Sequence, residues 1–186
     1  YFLRALDIYE RILGSEHLDI ANTLGWLGST YSSQGNYVKA EPFYKRSLEI
    51  REKVLGLEHL TTMKALNNLG INYLNQDKLT QAEILLRRSL KIREKILGVN
   101  HPSTATGFNN LAGFYKDLGF YDKGETFFLR ALEIREQTLG PEHHKTATIL
   151  SNLASLYKMQ ARYNKAESFY LRALAIREKI LDLSII

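Results

Sequence analysis

Residues 88–98 read Arg88-Ser89-Leu90-Lys91-Ile92-Arg93-Glu94-Lys95-Ile96-Leu97-Gly98. Forty-two positions earlier stands Arg46-Ser47-Leu48-Glu49-Ile50-Arg51-Glu52-Lys53-Val54-Leu55-Gly56. The offset holds along the chain: Ala147 to Ile186 matches the stretch beginning at Ala105 at 19 of 40 positions. Across five copies of this phrase the leading arginine never changes (Arg4, Arg46, Arg88, Arg130, Arg172). Nor does the glutamate six residues on (Glu10, Glu52, Glu94, Glu136, Glu178). A fixed period of this length is the mark of a repeat array. The units run 21–62, 63–104, 105–146 and 147–186, preceded by a half-unit at 1–20 holding a second helix and its loop. No linker interrupts them, so 1–186 reads as a single array. Starting inside a second helix and ending without a polar capping helix, it also reads as a piece of a longer one.

Each unit reads as two helices. In the fourth, Leu150, Leu153, Ala154, Tyr157 and Ala161 recur at spacings of three and four and form one apolar stripe. After a break at Arg162-Tyr163, a second stripe runs through Ala166, Phe169, Tyr170, Ala173, Leu174, Ile176 and Leu181. Asn164 with Glu167, Asp122 with Glu125 and Thr80 with Glu83 each place an acceptor three residues before an acid, the pattern of a helix N-cap. Val38 breaks it in the first unit. Gly14, Gly56, Gly98 and Gly140 are expected to close the second helices in the left-handed conformation. Asp19, Thr61 and Ser103 are expected to cap the first helices that follow, Lys145 breaking the pattern. No segment alternates as a strand does, so the class is all-α.

A hairpin of this size cannot bury both stripes alone and must stack on its neighbours. The expected architecture is a right-handed α-solenoid of stacked antiparallel helix hairpins, first helices lining the inner wall and second helices outside. Small residues mark close approach: Gly28, Gly70, Ala112 and Ala154 on first helices, and Ala40, Ala82, Gly124 and Ala166 on second helices.

These residues resemble the tetratricopeptide repeat. The likeness lies in Leu27-Gly28, Tyr31, Gly35, Tyr37, Ala40, Tyr44 and Ser47-Leu48, and again in Leu111-Ala112, Tyr115, Gly119, Tyr121, Phe128 and Ala131-Leu132. The period is 42 rather than about 34. The long second helix and its ending, Leu132 to Glu136 through Leu139-Gly140-Pro141-Glu142-His143, are similar to the variant in kinesin light chains, nephrocystin-like proteins and many bacterial regulators. Departures are local: Asp77 and Ala161 stand at the turn glycine, Leu79 at the turn tyrosine, and Trp26 where Asn68, Asn110 and Asn152 stand. The resemblance implies a protein-binding scaffold rather than a chemistry.

The residues themselves offer no chemistry either. Without cysteine there is no disulfide framework, thiolate metal site or cysteine nucleophile. His17, His59, His101 and His143 recur one per inter-repeat loop, whereas a metal's ligands must converge on one point, so they are read as structural. His144 adds an adjacent pair with no third ligand. No Gly-rich phosphate loop, HExxH or GxSxG occurs, and the acids show no distinctive pair. No catalytic, metal or cofactor-binding residue is assigned, and the chain is read as non-enzymatic. No apolar run approaches the ~18 residues of a spanning helix, and no membrane partner is expected. Tyr1-Phe2-Leu3-Arg4 carries neither a basic leader nor a cleavage pattern; a cytoplasmic location is expected.

The resemblance implies that ligand contacts lie on the inner face of each first helix. There the second unit offers Lys64, Asn67, Asn68, Ile71 and Asn75, the third Asn109, Asn110, Gly113 and Lys116, and the fourth Ser151, Asn152, Ser155 and Lys158. The first offers Asn22, Gly25, Trp26 and Ser29. Asn68, Asn110 and Asn152 each present a donor and an acceptor. They could pair with the main chain of an extended peptide, the part such asparagines play in the related repeats, or bond the neighbouring helix and hold repeat spacing. Lys64, Lys116 and Lys158, with Asp117 against them, match an acidic peptide or a C-terminal carboxylate, or are simply solvated. Gly113 leaves room between Ile71 and Ser155 for a bulky side chain, or softens its repeat. Trp26 is either a groove anchor or a packing residue.

The expected function is a scaffold holding a peptide segment of a partner protein, acidic in character, in a concave groove. A second reading is a self-associating structural or sensor array of a larger regulator, joined end to end through uncapped termini. A third is nucleic-acid binding through Arg87, Lys91 and Lys95. The net charge of +5 is spread too unevenly, and the aromatics too deep in packed positions, to favour it.

Overall fold

The computed structural model describes residues 2–183; Tyr1 and residues 184–186, on which the end-to-end reading partly rests, lie outside the described residues. Every regular element among them is a helix: α1 (Phe2–Leu13), α2 (Leu18–Ser33), α3 (Tyr37–Leu55), α4 (Leu60–Leu74), α5 (Leu79–Leu97), α6 (Pro102–Asp117), α7 (Tyr121–Leu139), α8 (His144–Met159) and α9 (Tyr163–Leu183). They fall into two compact units divided between Ile96 and Leu97.

In the first unit α1 packs on α2, α2 on α3 and α3 on α4; in the second α6 packs on α7, α7 on α8 and α8 on α9. The apolar stripes make these contacts. Ile20, Ala21, Leu24 and Leu27 of α2 close over Leu6 of α1 and Ile50 of α3, with Tyr31 and Phe43 against them. Each leucine or isoleucine side chain taken out of water here contributes about 1.5–3 kcal/mol. The pairing of first and second helix is pinned by a ring stack in the same place in three hairpins: Tyr31 on Phe43 (5.5 Å), Tyr115 on Phe127 (5.7 Å) and Tyr157 on Phe169 (5.4 Å). A Cβ on Gly28 would lie 2.7 Å from the Tyr44 ring; α2 and α3 approach this closely because nothing stands there.

Within each unit the recurring arginine and glutamate pair between second helices, except that Arg130 pairs with Glu133 of its own helix. Arg46 pairs with Glu10, Arg88 with Glu52 and Arg172 with Glu136, each joining a second helix to the one before. Lys53 with Glu16, Lys95 with Glu58 and Lys179 with Glu142 form a parallel row. Partly exposed pairs each contribute about 0–1 kcal/mol at most, so these rungs fix register more than stability.

The helix ends differ from the sequence expectation. Second helices α5, α7 and α9 start at Leu79, Tyr121 and Tyr163, one residue ahead of Thr80, Asp122 and Asn164, which therefore lie inside the first turn rather than at the cap. Glu125 instead accepts from the Tyr157 hydroxyl (2.7 Å) and Arg162 (3.1 Å). First helices are capped by histidine, not by Asp19, Thr61 and Ser103. The Nδ1 atoms of His17, His59, His101 and His143 accept the backbone N–H of Asp19, Thr61, Ser103 and Lys145 at 3.0–3.2 Å. This is the structural use of the periodic histidines.

Candidate functional site

Each unit has one cleft between successive first helices, floored by the second helix between them. In the first unit a cavity of about 330 Å³ is lined by residues of α2 (Asn22, Gly25, Trp26, Ser29), α3 (Tyr44, Ser47, Arg51) and α4 (Thr61, Lys64, Ala65, Asn68). In the second a cavity of about 220 Å³ is lined by Ala105, Thr106 and Asn109 of α6, Arg135 of α7, and Lys145, Thr148 and Ile149 of α8. Adding 84, two repeats, converts the first set into the second: Asn22 becomes Thr106, Gly25 becomes Asn109, Arg51 becomes Arg135 and Lys64 becomes Thr148.

The floor of both clefts is a guanidinium that the helix pattern delivers there. Ile50-Arg51 and Ile134-Arg135 place the isoleucine in the core and the next side chain at the cleft. Arg51 donates to Asn22 Oδ1 (2.7 Å) and Ser47 Oγ (3.4 Å), and Ser47 donates to the Ala21 carbonyl (2.6 Å). Arg135 donates to Thr106 Oγ1 (2.7 Å). It is only 6% exposed, and its Nε has no hydrogen-bond partner among the described residues. Burial draws both arginines below their ordinary pKa, yet the group stays charged. No residue lining either cavity is acidic. These cleft arginines were missing from the sequence reading, although they recur with the period in Ile-Arg-Glu.

Of the expected site residues, Lys64 and Asn68 are exposed on the wall of the first cleft. Asn67 and Ile71 lie half-buried on the same helix, and Asn75 ends it with its amide donating to the Ile71 carbonyl (2.9 Å). Asn109 lines the second cleft and accepts from Asn152 Nδ2 at 2.8 Å, so this asparagine pair spans successive first helices. Asn110 is half-buried on α6. Ser151 accepts from Arg177 (2.9 Å), and Lys116 pairs with Asp117 (3.1 Å). A Cβ on Gly113 would meet nothing within 4 Å. Ser155 is half-buried and Lys158 exposed. Trp26 is 57% exposed at the rim of the first cleft. Of the basic row on α5, Arg87 pairs with Glu83, Arg88 with Glu52 and Lys95 with Glu58, which neutralises much of what a phosphate backbone would need.

Among described residues no helix is long and apolar enough to cross a membrane. The sequence pattern of the tetratricopeptide repeat matches residues 1–53, 19–95, 61–112 and 103–179. A search of curated proteins gives no match. Solved structures share the fold. BtubC (BKLC) from P. vanneervenii superposes with a TM-score of 0.81 at 24% identity, over 96% of this chain and 71% of that one. A point variant of a kinesin-light-chain-like protein of Podosopora anserina, built of nearly identical TPR-like repeats, gives 0.81 at 23%, over 97% and 85%. The apo form of RapI gives 0.78 at 20%, over 97% and 64%.

Proposed function

Because the chain belongs to the tetratricopeptide repeat family, whose fold is typically a protein–protein interaction scaffold, we propose that it holds an acidic peptide segment of a partner protein against its first-helix face. It does so without chemistry of its own. The observation that carries this reading is the charge of the clefts: a fixed guanidinium at the floor of each, Lys64 or Lys145 on the wall, and no acid in the lining. Arg51 is already half-buried, so a carboxylate meeting it strips less water from that arginine, and charge-assisted hydrogen bonds of this kind are among the stronger ones. Exposed Asn68 can serve the peptide main chain with donor and acceptor together.

Calorimetric titration with decaglutamate, decalysine and a neutral Gly-Ser decapeptide tests the reading. The acidic peptide alone should bind, weaken as salt is raised, and weaken further in Lys64→Glu. Equal binding of all three peptides, or none, would overturn it.

A further inference from the structure

The two clefts are built alike and differ at the residue that stands across from the wall asparagine. In the second unit Asn152 donates to Asn109 Oδ1 at 2.8 Å, a bridge between successive first helices. In the first unit the counterpart of Asn152 is Asn68, and the counterpart of Asn109 is Gly25, which has no side chain to answer it. Asn68 is exposed and has no hydrogen-bond partner among the described residues. The cavities follow the bridge. The first continues along α2 past Gly25 to Trp26 and Ser29 and across to Asn68. The second ends at Asn109, and the counterparts Asn110, Gly113 and Asn152 are not part of its lining.

We propose that the residue at this position is a latch that decides which cleft receives the peptide: Gly25 leaves the first-unit cleft open, and Asn109 holds the second-unit cleft shut. The inference rests on the acidic-peptide reading above and sharpens it to one cleft. The occupant of the open cleft is a glutamate or aspartate side chain directed at Arg51 and Lys64, its main chain taken by Asn68. Glycine at position 25 is not demanded by packing. A Cβ there would lie 3.6 Å from Ser47 Oγ, ordinary contact, so a larger residue is sterically admissible and the missing amide is what matters. A glycine inside a helix is destabilising relative to alanine, and the helix bears this at Gly25 without any close approach to justify it.

Three variants separate the latch from the reading it rests on. Gly25→Asn supplies the missing amide, Gly25→Ala fills the space without one, and Asn109→Gly removes the existing bridge. The ligand-free arm follows the side-chain NH₂ signals by NMR. Asn152 should exchange slowly and Asn68 fast in the parent protein, Asn109→Gly should speed Asn152, and Gly25→Asn should slow Asn68. The ligand arm titrates decaglutamate by calorimetry while reading the emission of Trp26, the single tryptophan of the chain. Gly25→Asn should weaken binding by about tenfold, roughly the loss of one well-placed interface group. Gly25→Ala should bind as the parent does, and Asn109→Gly should gain a second site that leaves Trp26 emission unchanged. Equal exchange of Asn68 and Asn152, or unchanged affinity and stoichiometry in all three variants, overturns the latch. Amide signals behaving as expected with no decaglutamate bound by any variant overturns the acidic-peptide reading instead.

Discussion

Within a hairpin the chain turns from first helix to second through Gly35, Asp77, Gly119 or Ala161; between hairpins it turns through Gly-x-x-His-x-x-Thr, as at Gly56 to Thr62, Gly98 to Thr104 and Gly140 to Thr146. The first kind is closed by the backbone. All four residues have positive φ, 74°, 57°, 78° and 57°. In each, the next residue's N–H returns to the carbonyl five back: Asn36 to Tyr31, Lys78 to Tyr73, Phe120 to Tyr115 and Arg162 to Tyr157. That is the left-handed helix stop expected of the other loop. The second kind leans on side chains. Gly56 and Gly140 sit at φ 85°, ψ 171° and φ 91°, ψ 157°, outside the left-handed helical region. The glycine carbonyl accepts from a fully buried threonine hydroxyl, Thr62 at 3.0 Å, Thr104 at 2.7 Å and Thr146 at 2.9 Å. Histidine supplies the cap. A turn whose bonds come from the backbone tolerates glycine, aspartate or alanine, whereas a loop whose bonds come from side chains keeps its glycine and histidine in all four copies and its threonine in three, Ile20 standing there in the first. The strict loops aim each first helix, and hence the wall of each cleft.

The largest effect expected from this contrast is at Gly140. Its φ and ψ belong to a region open essentially to glycine alone, so Gly140→Ala should cost about 2–3 kcal/mol. Gly119→Ala, in a conformation that L-residues do visit, should cost only about 1 kcal/mol. Urea unfolding of both variants measures the difference, and equal losses would erase the distinction between the two kinds of turn.

An intermediate effect is expected on pH dependence. His143 caps α8 only while Nδ1 is unprotonated. Its pKa lies below the ordinary histidine value because partial burial penalises the charged form and His144, Lys145 and Arg135 add positive charge nearby. A lowered folded pKa means that the contribution is complete above the unfolded value of about 6.5 and is lost as pH falls through the folded one. The thermal midpoint of the parent should therefore fall more steeply between pH 7.5 and 5 than that of His143→Asn, whose amide oxygen caps at either pH. Parallel curves would show that the imidazole is not a working cap.

The histidine also shows where sequence reading stopped. The all-α class, the hairpins and the buried stripes are legible because a 42-residue period repeats every packing demand, so no single residue has to be interpreted alone. Caps differ because aspartate, threonine and serine are the usual acceptors, and each stands two residues after a histidine that takes the cap position and accepts that residue's own N–H. Arg51 and Arg135 recur with the period, but spacing does not say what they face; only the fold shows that the residue after a core isoleucine turns into the cleft. The bridge from Asn152 to Asn109 depends on side chains 43 positions apart meeting across two helices, a geometry no spacing rule supplies. Thus Asn152 joins helices in the second unit, while its counterpart Asn68 is left for another role in the first.

The smallest effect sharpens the contrast from the tolerant side. Ala161 is exposed and holds φ 57° with the same pattern of backbone bonds as Gly119, so its methyl group is carried at a conformational cost. Ala161→Gly relieves that strain, about 1–2 kcal/mol per residue for an L-side chain, but frees the unfolded chain by about 0.4–1 kcal/mol. The net gain should be roughly 0.5–1 kcal/mol, the difference of those two terms. Asp77→Gly should gain less, since a short polar side chain visits this region more readily. The order of stability by urea midpoint should therefore be Ala161→Gly above Asp77→Gly above the parent. If Ala161→Gly instead lowers the midpoint, the methyl group is contributing packing at the turn, and the backbone alone does not account for its closure.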